Sequence, residues 1–269
     1  MQNKITKNFN NPWRQIASAI YHKPKDGRMS GTVELDVTEL ETFINEQRRQ
    51  GIKVTYTHFF LAAVARAIRE VAPEFNTYVS RGNIIRRSSI DGALSVLIDQ
   101  DTQMSSILIK RLDEKTLNEL VDLVTTELGQ VKRGQENRKM RGKSLATAIP
   151  WPWRGWLVNF LRVLTMEWGF SFPSLGINPH LFGSFMLTNI GTVGLDIGYP
   201  TLMPFSSVSA VLALGKVSAQ PRVVENKIVP RKVVQISASI DHRVVDAQHI
   251  GLLFKFLKAA VKNPEQFLH

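Results

Sequence analysis

His242 and Asp246 stand four residues apart in the segment 233–246, VVQISASIDHRVVD. An imidazole beside a carboxylate is a pairing that can take and return a proton near neutral pH. Val234, Ile236, Ala238 and Ile240 fall on one face of a strand and Gln235, Ser237 and Ser239 on the other, with His242 on the apolar parity. That parity predicts an imidazole delivered inward, next to an aspartate that opens the final helix. Spacing alone favours a plainer pair, an N-capping aspartate and a hydrogen-bonded core histidine.

The other candidate chemistry thins out quickly. With no cysteine, the chain has no disulfide, no cysteine-ligated zinc or iron–sulfur site and no thiol nucleophile. His22, His58, His180 and His249 form no ligand spacing, so no metal is expected. Gly191, Gly194 and Gly198 do not follow the spacing of a nucleotide loop and are read as turn glycines.

The elements that would hold His242 and Asp246 alternate without strict βαβ order. Residues 32–37 alternate with period two, and Thr38 opens a helix. A buried, alanine-rich helix is predicted over 58–72, stopped by Pro73, and an amphipathic one from Leu112 to Val131 ending at Gly134. Strands are expected within 90–109 and over 184–188, 208–217, 223–229 and 233–240, with a turn at Glu225-Asn226-Lys227. The last helix carries Ile250, Leu253, Phe254, Leu257, Ala260 and Val261 on one face and ends at Pro264. No repeat, linker or composition break divides the 269 residues, so one α+β domain over 1–269 is expected.

Several ordered motifs then carry a resemblance. DHRVVDA followed by HIGLLFKFLKAAVKNPEQFL is similar to the C-terminal HxxxDG signature of the dihydrolipoamide acyltransferases, the catalytic cores of 2-oxo acid dehydrogenase complexes. Arg14-Gln15-Ile16-Ala17 resembles that family's opening motif, residues 31–40 its first strand, residues 72–76 its PxxN turn, and residues 185–191 its FTISNLG strand. The match covers roughly 13–141 and 183–268. It implies a chloramphenicol acetyltransferase-like mixed sheet with flanking helices, and a coenzyme A-dependent acyltransferase. By the same resemblance His242 is the general base for a thiol or hydroxyl acceptor, Thr188 the hydroxyl that meets the oxyanion, and Asp246 the partner of an arginine near the chain start, Arg14. It further implies a homotrimer with His242 and Thr188 facing each other across subunits, with higher assembly open, and a separate lipoyl carrier, since the chain begins almost at the core and no covalent lipoyl group is expected on it. Ala247 stands where the motif has glycine, and 104–109, MSSILI, replaces the family's GLxxPV strand. A non-catalytic relative acting at a membrane surface or in assembly is the alternative.

Charge adds a second theme. Lys plus Arg number 34 against 23 Asp plus Glu, a net +11, which favours phosphate-bearing ligands, nucleic acid or anionic lipid without choosing among them. The basic run 132–143 has no nucleic-acid motif beside it, which argues against that partner. An aromatic-rich insertion at about 142–183 holds Trp151, Trp153, Trp156 and Trp168. In it Trp156, Leu157, Phe160, Leu161, Leu164 and Trp168 recur at helical spacing, with Asn159, Arg162 and Thr165 predicted on the other side. Two readings of this helix stand side by side: packing on the chain's own core or at a subunit contact, and an anionic membrane surface as a partner meeting 132–170. The first twenty residues show no secretory signal, so the expected location is cytoplasmic, peripheral at the membrane.

Overall fold

A computed structural model of the chain describes residues 27–98, 103–132, 150, 153–170, 180, 182–202 and 206–267. Its centre is a seven-stranded mixed sheet in the order β1-β9-β7-β6-β4-β5, with β8 also paired to β9. The strands are β1 (Arg28–Asp36), β4 (Gly92–Ile98), β5 (Gln103–Ile109), β6 (Phe185–Asn189), β7 (Ala210–Leu214), β8 (Ser218–Val224) and β9 (Lys227–Asp241). β4, β6 and β7 run parallel to one another, while β1, β7 and β8 are antiparallel to β9 and β5 is antiparallel to β4. The β8–β9 turn places Glu225 and Asn226 at φ 49° and 59°. Two left-handed residues in a two-residue loop match the twist of the strands they join.

One face of the sheet holds the main core. Val33, Leu35, Leu94, Phe185, Leu187, Leu212, Ile236 and Ile240 belong to it, together with buried residues of α1 (Thr38–Arg49), α2 (Tyr56–Glu70), α3 (Leu117–Lys132) and α5 (Ala247–Ala260). α2 is capped by Thr55, whose hydroxyl accepts the His58 N–H, and buries ten of its residues because small alanines let it lie close to the sheet. The opposite face carries a smaller cluster of Ala93, Met186, Val208 and Val211.

A second sheet, the hairpin β2 (Thr77–Ser80) and β3 (Asn83–Arg86), was not foreseen from the sequence. Nor did the face assigned to the aromatic insertion survive. α4 (Trp153–Arg162) continues as a π-helical turn, Val163–Glu167. There Thr165, expected on the side opposite the aromatic residues, is 1% exposed and bonds the Leu161 carbonyl, while Trp153, Trp156, Phe160 and Trp168 face solvent. The hydroxyl turns inward because the helix's own backbone can satisfy it.

Candidate functional site

His242 is the first residue past β9, not part of it. Its backbone N–H reaches the Gly27 carbonyl at 2.8 Å, and the Arg243 guanidinium clamps the Asp241 carboxylate with Nε–Oδ1 at 2.9 Å and Nη2–Oδ2 at 2.6 Å. These contacts turn the chain out of the sheet, so strand parity ends one residue early. The imidazole is consequently 49% exposed instead of delivered into the core.

The structure does bring His242 and Asp246 together. His242 Nδ1 lies 3.0 Å from the Val245 carbonyl and 3.2 Å from Asp246 Oδ1. Both neighbours are acceptors, so Nδ1 carries the proton and the lone pair of the neutral ring is on Nε2. Asp246 is also the N-cap of α5. Ala247 is an exposed first residue of that helix, a position that needs no glycine.

His249, dismissed for lack of ligand spacing, belongs to this corner. Its Nδ1 accepts the Asp246 backbone N–H at 2.9 Å and its Nε2 lies 3.8 Å from Glu74 Oε1 in the turn Pro73–Asn76. The signal that could have found it is Asp-x-x-His, a capping-box spacing with histidine where glutamate or glutamine usually stands.

Thr188 lies elsewhere on the sheet. It is half-buried near the end of β6, opposite Ser95 and Ala213, on the same face as Met186. The rung nearest His242 is set by Asp241 N–H to the Ser209 carbonyl, 2.9 Å. From Ser209 to Ala213 is four residues along a strand, and β6 is two strands from β9, so Thr188 and His242 of one chain are roughly 16 Å apart. An oxyanion donor must come within about 3 Å of the reacting oxygen. A single chain therefore holds the base and the hydroxyl at separate places. Arg14 and residues 133–143 of the basic run lie outside the described residues. Among the described residues no three His, Asp or Glu group as a metal site.

Asn189, next to Thr188, points to the opposite face of the sheet, toward α2. Asn189 Nδ2 donates to Thr57 Oγ1 at 2.9 Å, tying the end of β6 to the start of α2. One residue on, His58 Nδ1 is buried with no hydrogen-bond partner. Burial, reinforced by the Arg48 cation, holds the His58 imidazole down at about 4.

A mixed sheet backed by helices on one face is the chloramphenicol acetyltransferase-like architecture. A chloramphenicol acetyltransferase superposes with TM-score 0.51 at 16% identity, over 88% of this chain and 90% of that one. A probable dihydrolipoamide acetyltransferase from Listeria monocytogenes reaches TM-score 0.65 at 21% identity, covering 87% and 84%. The cubic core of a pyruvate dehydrogenase multienzyme complex gives 0.64 at 19%, covering 91% and 85%.

The family model for the 2-oxoacid dehydrogenases acyltransferase catalytic domain matches residues 1–145 and 181–269, and the chain belongs to that family. Among curated relatives, the dihydrolipoyllysine-residue succinyltransferase component of the 2-oxoglutarate dehydrogenase complex from Staphylococcus saprophyticus is 22% identical over 241 residues, which are 89% of this chain and 46% of that protein. The chain spans about half or less of the length of the curated relatives it matches.

Proposed function

We propose that the chain is the catalytic core of a coenzyme A-dependent acyltransferase that moves an acyl group between a thioester and a thiol or hydroxyl acceptor. The observation that carries this is the state of His242: Nδ1 is occupied by Val245 and Asp246, which leaves Nε2 as the proton acceptor. Nε2 takes the acceptor's proton as its sulfur or oxygen attacks the acyl carbon. The tetrahedral oxyanion accepts a hydrogen bond from the Thr188 hydroxyl, and on collapse the leaving thiolate takes the proton back from the imidazolium.

The separation of Thr188 from His242 supports a shared site, with Thr188 of the partner subunit meeting His242 in a homotrimer. Val193, Leu195 and Ile197, just past Thr188, are exposed apolar residues suited to such a contact. Further assembly into a cage is part of this reading, on the likeness to a cubic core. So are a lipoyl group carried by a separate protein, Arg14 as ion-pair partner of Asp246, and a cytoplasmic location.

The test is a panel of acyl-coenzyme A thioesters offered with dihydrolipoamide and simple alcohols, following free thiol and acylated product. Acceptor-dependent transfer from at least one thioester is expected. No transfer across the panel by protein that sediments as a trimer would leave a non-catalytic assembly role and overturn the reading.

A further inference from the structure

We propose that the aromatic helix α4 and the β2–β3 hairpin form a docking surface for an anionic lipid bilayer. Trp153 and Trp156 are each 68% exposed, and Phe160, Trp168, Ile84 and Ile85 also face solvent. The Trp156 and Phe160 rings stack in parallel, 5.7 Å apart. α4 does not need these rings for its own packing, because Leu157, Leu161 and Leu164 are half-buried on it and Thr165 is buried. An apolar patch of this extent on a soluble surface marks a partner.

The two elements form one surface. Arg81 Nε in the hairpin turn donates to the Trp168 carbonyl at 3.0 Å, and Gly169, at φ 73°, lies so close to Ser80 Oγ that a Cβ would sit 2.8 Å from it. The surface also lies at the His242 end of the main sheet, since β2 follows directly from the turn whose Glu74 faces His249.

Three observations select a bilayer over a second protein. The family match leaves out 146–180, so the surfaces this chain shares with its relatives do not include α4. Arg81, Arg86 and Arg162 are exposed on these two elements, and such cations complement anionic head groups. Tryptophan dominates the patch, and indole rings settle at the head-group level, where one edge is wet and the face is apolar. Among the described residues no helix is long and apolar enough to cross a membrane, so the mode is adsorption.

The experiment is co-sedimentation of the full chain with vesicles of phosphatidylcholine alone and of phosphatidylcholine mixed equally with phosphatidylglycerol. Binding to the mixed vesicles is expected to be at least about tenfold tighter and to weaken with salt. Trp153→Ser with Trp156→Ser should lose at least about tenfold on the mixed vesicles. Arg86→Gln should lose about fivefold there and nothing on phosphatidylcholine. Both variants should unfold at the wild-type temperature. Equal indifference to the two vesicle types overturns the proposal. So does a self-association seen by sedimentation velocity and abolished by the tryptophan pair, which would mean that a second copy covers the face. None of these readouts uses acyl transfer, so they stand or fall apart from the catalytic reading.

Discussion

The two ends of the main sheet are built by opposite means. At one end, the His242 ring sits in a turn where its side-chain contacts, to Val245 and Asp246, and the cap from Asp246 to His249 span at most four residues, only the backbone N–H reaching far, to Gly27, and the imidazole is half in solvent. At the other, Thr188 is fixed between the parallel strands β4 and β7, far away in sequence, and its neighbour Asn189 is tied on the opposite face to the start of α2, where His58 is buried. The base can reorient by small local changes, whereas the backbone that carries the hydroxyl moves only if the sheet moves. A reaction that needs a mobile proton carrier and a preorganised oxyanion donor suits this division.

The largest expected effect tests whether the two ends act as one site. His242→Ala should lower kcat by at least about 10²-fold, and Thr188→Ala by a similar factor, with both proteins folded by circular dichroism. If the ends meet across subunits, an equal mixture after subunit exchange recovers about a quarter of wild-type activity, the fraction of random interfaces that pair an intact histidine with an intact threonine. Recovery of nothing would mean that both groups act within one chain or that Thr188 is not the donor.

How far each end was readable from the sequence follows from the same division. The pairing of His242 with Asp246 is local and was visible in four-residue spacing and the motif. The exposure of His242 was missed because the alternation of β9 was carried one residue past Asp241, where the Arg243 clamp turns the chain. The hairpin around Ile84 and Ile85 gave no signal, since short exposed strands have no buried face to impose a pattern. In α4 the apolar stripe is wider than the contact it makes, so periodicity found the helix but not that its leucine flank packs while its Trp156 and Phe160 flank faces solvent. The distance between Thr188 and His242 depends on the strand order β9-β7-β6, which residue spacing does not encode.

A second, smaller effect sharpens the contrast in burial. His58 has a native value of about 4 against 6.5 in an unfolded chain. The unfolded state therefore binds the proton first as pH falls, and stability drops from about pH 6.5 to about pH 4, by on the order of 3 kcal/mol in total. Below that window both states carry the proton and the loss stops growing. His58→Leu removes the titration and the unpartnered Nδ1 together, so its urea midpoint should change less with pH across the window. An unchanged pH slope would show that His58 is not buried as the structure has it.

The smallest expected effect lies at the local end, and it asks whether His249 positions the dyad or merely decorates a helix. Its Nδ1 accepts the Asp246 N–H only as the unprotonated nitrogen, which leaves Nε2–H directed toward Glu74. Glutamine can supply the same acceptor at this capping position, and leucine cannot. A lost cap contributes about 1 kcal/mol, so His249→Leu should lower kcat about fivefold as Asp246 loosens its hold on the His242 ring, with KM little changed. His249→Gln should restore kcat. A purely structural role predicts instead that both variants lose thermal stability in proportion to their loss of cap while kcat of the folded fraction stays at the wild-type value, and that result would separate His249 from the chemistry of His242.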